Sequence, residues 1–214
     1  LLLNKKVDVN QYIYGSLDGK AFKYTLLHLI IKKNDIEKMK LLLLHEKIDI
    51  NIPFECEINQ THDKGPPLFL AVKEGTIEMM KLLLFNENTE LNDVCFSESF
   101  ISVSKKSALY LAVENEKKKM VEVLSSHDKI DVNFIYFFNS YLKEKRKLLL
   151  HKAIKTCNFE IIQILLNNQR VDINLKSFRK KNKKDCIIEK EKSTLYYIIK
   201  YGNLKILQFF LSTK

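Results

Sequence analysis

The sequence has little of what marks membrane, secreted or disulfide-stabilised proteins. None of its apolar runs approaches the roughly 18 residues that a membrane-spanning helix needs, and its 214 residues show no signal-peptide pattern. The four cysteines are scattered and none belongs to a C-x-x-C pair, unlike those of a small disulfide scaffold. We therefore expect a cytoplasmic protein with reduced thiols and no membrane segment, forming part of a longer chain.

The patterns of catalytic and metal sites are missing as well. The five glycines build no phosphate-binding loop, and neither G-x-S-x-G nor H-E-x-x-H occurs. The five histidines lack the spacing of metal ligands, and the neighbours Cys56 and His62 are too few to define a metal site. The sequence therefore predicts no enzyme, no cofactor, no metal ion and no small-molecule substrate.

Arginine is scarce in a chain that is otherwise strongly basic. The formal net charge is +10, and only three of the 36 basic residues are arginine. Lysine is a hydrated point charge, whereas arginine offers a planar fork suited to phosphate. The charge therefore predicts attraction to acidic surfaces more clearly than it predicts nucleic-acid recognition.

What the sequence does contain is an internal repeat. An acidic residue, an apolar residue and an asparagine recur every 41 residues, and a leucine before each later triplet recurs at the same spacing, with a fifth leucine 45 residues further on. The triplets are Asp8-Val9-Asn10, Asp49-Ile50-Asn51, Glu90-Leu91-Asn92, Asp131-Val132-Asn133 and Asp172-Ile173-Asn174, and the leucines are Leu27, Leu68, Leu109, Leu150 and Leu195. Such a period predicts a solenoid of stacked repeats.

Each repeat has the pattern of two short helices. In residues 66–92 a proline opens the first helix, Gly75 breaks it, and Thr76 is suited to cap a second helix with apolar residues at helical spacing. The breaks of the five repeats fall at Asn34, Gly75, Glu116, Cys157 and Gly202. Glycine and asparagine tolerate a left-handed turn, so we expect that turn there, and strain or a different turn at Glu116 and Cys157.

The links between repeats have the composition of strands. They contain β-branched, aromatic and turn residues over 11–24, 52–65, 93–106 and 134–147, and a longer basic link follows at 175–192. We interpret each link as two short strands with a turn, which is a hairpin. For the basic link the alternative is a mobile, solvated loop.

The repeats resemble the ankyrin repeat, which opens with a Thr-Pro-Leu-His-x-Ala-like motif. The matching segments are Thr25-Leu26-Leu27-His28-Leu29-Ile30, Pro66-Pro67-Leu68-Phe69-Leu70-Ala71, Ser107-Ala108-Leu109-Tyr110-Leu111-Ala112, Leu148-Leu149-Leu150-His151-Lys152-Ala153 and Ser193-Thr194-Leu195-Tyr196-Tyr197-Ile198. The resemblance implies an all-α repeat solenoid of ankyrin-type helix-turn-helix units, with five complete helix pairs and β-hairpin fingers between them. Its repeats would span 25–65, 66–106, 107–147, 148–192 and 193–214, after a partial repeat and finger in 1–24.

The chain departs from the ankyrin pattern in two respects. Its repeat has 41 residues where about 33 are usual, and the excess lies in the hairpin link. The motif histidine is kept only as His28 and His151, so its hydrogen bonds between repeats are in doubt elsewhere. A HEAT-type array shares the period, but the first helices here are too short for it.

The resemblance implies a concave face, formed by the fingers and the exposed ends of the first helices, on which a protein partner binds. The candidates at the helix ends are Lys32, Lys33, Lys73, Glu74, Glu114, Asn115, Lys155, Lys200 and Tyr201. The candidates in the fingers are the aromatic residues Phe54, Phe96, Tyr136 and Phe138 and the basic tract Lys180, Lys181, Lys183 and Lys184. Alternatively, the helix ends are simply solvated, and about half of the aromatic side chains face inward.

Three functional hypotheses remain open. The favoured one is a scaffold that binds another protein with acidic patches, in a large or cytoskeletal assembly. The alternative is a basic binder of nucleic acid or another polyanion, whose affinity would fall steeply with salt. A regulatory arm attached to an enzyme elsewhere in a longer chain is a weaker third hypothesis.

Overall fold

The structure is a computed structural model that describes residues 7–17, 20–58, 60–183 and 186–212, with the side chains of Leu17, Ile58, Lys183 and Cys186 left out. The chain divides into two compact units, Leu1–Phe100 and Ile101–Lys214. They are called here the N-terminal unit and the C-terminal unit, and each is described by itself.

The N-terminal unit alternates hairpins with helix pairs. Its described elements are β1 (Ile13–Leu17), β2 (Lys20–Tyr24), α1 (Leu26–Lys33), α2 (Ile36–Leu43), β3 (Phe54–Ile58), β4 (Thr61–Gly65), α3 (Pro67–Glu74), α4 (Ile77–Leu84) and β5 (Val94–Ser99). The strands pair antiparallel in chain order, both within a hairpin and from one hairpin to the next. Helix α1 packs on α3, and α2 packs on α4.

The C-terminal unit repeats the same arrangement. Its described elements are β6 (Ser102–Ser107), α5 (Ala108–Glu114), α6 (Lys118–Ser126), β7 (Ile135–Ser140), β8 (Lys143–Leu148), α7 (Leu149–Thr156), α8 (Phe159–Asn167), β9 (Ser177–Lys183), β10 (Cys186–Lys192), α9 (Thr194–Tyr201) and α10 (Leu204–Ser212). Strands β6 to β10 also pair antiparallel in chain order. First helices pack on first helices (α5, α7, α9) and second helices on second helices (α6, α8, α10).

The hairpins are a larger part of the fold than an all-α class allows. Each one forms backbone hydrogen bonds with a neighbouring hairpin as well as within itself, as β2 does with β3 and β8 with β9. This pairing satisfies backbone groups that an isolated hairpin would leave to water. The chain is therefore a solenoid of helix pairs and sheet-forming hairpins, and the all-α description is too narrow.

Four of the five leucine anchors, together with Val9, Ile50 and Val132 of the triplets, are buried in the core. Leu27, Leu68, Leu109 and Leu150 are at most 4% exposed, whereas Leu195 in the last repeat is 43% exposed. The helix pattern also accounts for the methionines, since Met39, Met79 and Met80 are fully buried. Truncating one such leucine to alanine costs about 2–5 kcal/mol in typical cores.

The asparagines of three triplets tie one repeat to the next. The side-chain amide of Asn51 donates to the carbonyl of Asn88 at 2.7 Å, and its Oδ1 accepts the backbone N–H of Glu90 at 2.8 Å. Asn10 and Asn133 make the same pair of bonds to residues 37 and 39 positions further on. The preceding aspartate accepts the backbone N–H of each of these asparagines, which fixes the turn that presents the amide.

The turns between paired helices differ from the expectation drawn from the glycines. Asn34, Glu116 and Cys157 adopt the left-handed conformation, with φ of 52°, 54° and 57°. Asparagine tolerates this conformation, whereas it is strained for glutamate and cysteine. Gly75 and Gly202 do not, since their φ values are −87° and −76°. A Cβ on Gly75 would lie 2.8 Å from the carbonyl oxygen of Ala71, so this glycine is needed for a close approach and the left-handed expectation was wrong.

The helix starts follow the sequence pattern. Pro67 occupies the first turn of α3, and the Thr76 hydroxyl accepts the backbone N–H of Met79 at the start of α4. No helix in the described part of the chain is long and apolar enough to cross a membrane.

Candidate partner-binding surface

The helix-end residues of the N-terminal unit pair with one another. Lys32 and Glu74, both predicted to face a partner, form an ion pair of 3.0 Å between Nζ and Oε2. The Lys73 ammonium lies 3.6 Å from a carboxylate oxygen of Asp63. Lys33 is exposed. Three of the four predicted side chains here are therefore already compensated by charge within the unit.

The prediction that Phe54 binds a partner is wrong. Its side chain is fully buried and packs edge-to-face against Tyr24 and His28, with ring centroids 6.3 and 6.1 Å apart. It lies on the inward side of β3, because side chains alternate across a strand and Cys56 shares that side. Phe96, by contrast, is 42% exposed on β5 and remains accessible to a partner.

The two motif histidines are structural. His28 Nδ1 accepts the backbone N–H of Thr25 at 2.9 Å. His151 contacts the Ser177 hydroxyl through Nδ1 and lies 3.0 Å from the Thr194 hydroxyl through Nε2, so its bonds reach the next repeat. Burial lowers the pKa of each histidine to about 4, which keeps both rings neutral at pH 7. Phe69 and Tyr110 occupy the equivalent positions of two other repeats and are buried there.

Glu114 is held inside the C-terminal unit. Its carboxylate accepts from Lys106 at 2.6 Å and from Lys152 at 3.0 Å. Burial by itself would raise the pKa of Glu114, but these two lysines outweigh it and lower the pKa. The neighbouring Asn115 is exposed and caps the end of α5. Of this predicted pair, only Asn115 is accessible without breaking an ion pair.

The predicted aromatic residues of β7 are half-buried beneath lysines. Tyr136 stacks on Tyr110 with ring centroids 4.8 Å apart, and Lys147 lies 5.7 Å from its centroid. Lys145 lies 5.3 Å from the centroid of Phe138. Such cation–π contacts position the ammonium groups above the rings, so the face of this strand that packs toward Tyr110 carries aromatic and cationic groups together.

The basic link forms a hairpin rather than an irregular loop. Residues 177–183 and 186–192 of the link form β9 and β10, and Lys180 pairs there with Glu189 at 3.1 Å. Lys181 is exposed. The side chain of Lys183 and the whole of Lys184 lie outside the described residues, so the basic tract is assigned only in part.

A small basic pocket lies where β8, α7, β9, β10 and α9 meet. Its volume is about 130 Å³, and His151, Ser177, Phe178, Tyr197 and Tyr201 form part of its wall. Seven cationic side chains line the rest, namely Lys145, Lys147, Lys152, Lys155, Arg179, Lys190 and Lys192. Among the described residues, only Lys152 of these seven has a carboxylate partner, which is Glu114.

Burial and mutual repulsion lower the pKa of two lysines in this pocket. Burial, a hydrogen bond with Lys143 and the nearby cations Lys147 and Arg179 lower the pKa of Lys145 to about 8. Burial also lowers the pKa of Lys147, with Lys155 and Lys152 adding to the effect. For both lysines burial is the largest cause, and the surrounding cations add to it.

The sequence predicted only part of this pocket. Lys155 and Tyr201 line it as helix-end candidates, whereas Lys200 lies outside it, with its ammonium 5.2 Å from the centroid of the Tyr201 ring. The lysines of β8 were missed. The signal that could have found them is their alternation at 143, 145 and 147, which places them on one face of a strand.

The comparisons with known proteins identify the family. The chain matches the family described as ankyrin repeats (3 copies) over residues 1–95, 27–135 and 68–177. These matches span most of the sequence, so the chain belongs to the ankyrin repeat family. Ankyrin repeats generally mediate protein–protein interactions, and no catalytic family is indicated.

A solved structure shows the same fold. The ankyrin repeat domain of Bcl-3, a member of the IkappaB protein family, is similar with a TM-score of 0.52 and 23% sequence identity. The similarity covers 72% of this chain and 58% of that chain. In all, 108 solved chains match, whereas the search of curated proteins gives no significant match.

Proposed function

We propose that this chain is an interaction scaffold that binds another protein through the hairpins of its C-terminal unit. The observation that carries the proposal is the turn between β7 and β8, where Tyr141 is 89% exposed and Leu142 is 59% exposed. Large apolar side chains presented to solvent at adjacent positions are typical of surfaces that become buried on binding.

This hairpin tip is held in a fixed geometry. The carbonyl of Leu142 accepts the backbone N–H of Asn182 at 3.0 Å, which joins the tip to the next hairpin. The Ser140 hydroxyl donates to the carbonyl of Lys143 at 3.2 Å across the turn. A rigid tyrosine loses little conformational entropy on binding, which is why such residues anchor interfaces.

The partner would carry acidic patches opposite the surrounding lysines. The C-terminal unit presents six cations of the basic pocket without a carboxylate partner among the described residues. Positive charge of this kind accelerates association with an acidic surface and selects against basic partners. The same charge is the specific observation that favours a polyanion such as nucleic acid as the second candidate.

The cell compartment is part of the same proposal. Cys56, Cys95 and Cys157 are free thiols, which supports a reducing, cytoplasmic location. Long hairpins that extend from a repeat array suit a partner with a large surface, such as a filament or a cytoskeletal assembly.

Capture of partners on the recombinant chain tests the proposal. The test variant is Tyr141→Ser/Leu142→Ser at the tip. The matched control is Leu204→Ser/Leu211→Ser in α10, where two leucines of the same unit are 69% and 71% exposed. Bound proteins are identified by mass spectrometry after washing at low and then high salt, with and without nuclease.

We expect a specific protein that stays bound to the wild type and to the α10 control through the high-salt wash, and that is lost from the tip variant. Material that modest salt or nuclease releases from all three would contradict it and would favour the polyanion function.

A further inference from the structure

Three cations lie side by side in register across the sheet of the C-terminal unit. Arg179 on β9 is directly opposite Lys145 on β8 and directly opposite Lys190 on β10. Residues directly opposite in paired strands project from the same face, and like charges in this position destabilise a sheet. The fold therefore carries a repulsive row that its own stability does not explain.

The adjacent row, on the other face of the same strands, is built in the opposite way. There Lys180 on β9 is directly opposite Glu144 on β8 and Glu189 on β10, and the Lys180–Glu189 ion pair measures 3.1 Å. The same three strands thus place opposite charges side by side on one face and three positive charges side by side on the other. This contrast argues against a general excess of lysine as the cause of the repulsive row.

All three cations of the row line the basic pocket, where an external group can compensate them. None of the three has a carboxylate partner among the described residues. The pocket volume of about 130 Å³ is suited to one compact group. Lys147 and Lys155 also line it, so donors approach from several directions around the space.

We propose that this pocket is a binding site for a phosphoryl group. A phosphoryl group brings close to two negative charges and three strong acceptor oxygens, which match several ammonium groups and the planar fork of Arg179. A carboxylate has one charge and two oxygens in a plane, and it would leave most of the row uncompensated.

The surroundings of the pocket fit an anion that is partly removed from water. Burial and neighbouring cations lower the pKa of Lys145, and a bound anion would reverse the second of these causes. Ser177 is buried and its hydroxyl contacts His151, so this wall is rigid and uncharged at neutral pH. Arg179 and Lys190 are exposed, whereas Lys145 and Lys147 are half-buried, so interactions with a bound anion are strengthened mainly at these two lysines.

The source of the group rests on the proposed function. If the chain binds a protein through its C-terminal hairpins, the phosphoryl group is that of a phosphorylated side chain on the partner. A pocket for a single group favours this source over a nucleic acid, whose repeated phosphates need an extended basic groove.

Titration with inorganic phosphate by calorimetry tests the site on the chain alone, in chloride buffer of matched ionic strength. The test variant is Lys145→Gln/Arg179→Gln, and the control is Lys176→Gln/Lys180→Gln, which removes the same charge from β9 and the residue before it, outside the pocket. We expect saturable one-site binding that weakens by about tenfold for each cation removed from the row and is unchanged in the control. Equal weakening in both variants, or no heat beyond that of chloride, would overturn the site.

A second arm identifies the source and confirms folding. A Gly-Ser peptide with one phosphoserine should bind more tightly than its glutamate and serine versions, and more tightly than a single-stranded oligonucleotide; the reverse order would overturn the assignment to a phosphorylated protein. The test variant should unfold at a higher temperature than wild type in phosphate-free buffer, since a repulsion is removed. Because neither arm needs the tip residues, a failure of phosphate binding leaves the tip-dependent protein capture intact. A failure of that capture likewise leaves the phosphate-binding result intact.

Discussion

At the scale of single residues, the triplet asparagines hold neighbouring repeats together. The amides of Asn10, Asn51 and Asn133 each bond to two backbone groups of the following repeat, 37 and 39 residues further on. The aspartate before each of these asparagines fixes the turn that presents the amide. The recurrence of the triplets therefore has a physical cause in the contacts between repeats.

Replacement of one of these asparagines should weaken the stack. We predict that Asn51→Ala lowers the free energy of unfolding by about 1–3 kcal/mol, because two hydrogen bonds between repeats are lost. Urea denaturation measures the change. Asn139→Ala is the control, since Asn139 is exposed on β7 and should change stability by less than about 0.5 kcal/mol; equal effects of the two would show that the asparagine bonds do not stabilise the stack.

The buried histidines predict a dependence of stability on pH. Their pKa is about 4 in the folded chain, against an ordinary value of 6.5, so the unfolded chain binds more protons between those values. Their stabilisation is complete above pH 6.5 and is lost as the pH falls toward 4. We expect the free energy of unfolding to be lower at pH 5.0 than at pH 7.5 by about 2 kcal/mol for each histidine.

A variant separates this effect from the titration of carboxylates. Phe69 fills the equivalent position of another repeat, so the test variant is His28→Phe, which keeps an aromatic ring that cannot be protonated. The variant should lose about half of the histidine contribution to the pH dependence. An identical pH dependence in wild type and variant would contradict the assignment of neutral, buried rings.

At the scale of the elements, the register of the hairpins decides the charge pattern. Arg179 and Lys180 are adjacent on β9 but project to opposite faces, the first between two cations and the second between two carboxylates. Reversing the charge of each should therefore have opposite effects on stability.

We predict that Arg179→Glu raises the free energy of unfolding by about 1 kcal/mol and that Lys180→Glu lowers it by a similar amount. Urea denaturation at low salt in phosphate-free buffer provides the measurement, and the difference should shrink as salt is added. Changes of the same sign in the two variants would mean that the registers across β8, β9 and β10 are not as described.

The elements also show what the sequence could and could not predict. Helix pairs and hairpins follow from the 3.6-residue and two-residue patterns within a fixed period, and the ankyrin assignment that rests on them is confirmed. The phase of alternation within a hairpin is not readable from composition, which is why Phe54 was assigned outward when it lies in the core. Gly75 was misjudged for a related reason, because its close approach to Ala71 is a property of packing.

At the scale of the whole molecule, the basic pocket lay beyond prediction because strand pairing creates it. Lys145, Arg179 and Lys190 come from three strands and become neighbours only through the register of two hairpins. The excess of lysine predicted an affinity for acidic groups, but it did not predict where on the chain such groups would bind. Helix-end residues chosen by alignment proved to be partly engaged in ion pairs, as Lys32 and Glu74 are.

We propose that the chain as a whole binds a protein rather than a polyanion. The most direct test is the salt dependence of affinity for the captured partner, measured with the wild type between about 50 and 200 mM salt. We predict a shallow decrease, since apolar contacts at Tyr141 and Leu142 persist when charges are screened. A fall of about 10³-fold or more over this range, the behaviour of a ligand held through many phosphates, would contradict the scaffold function.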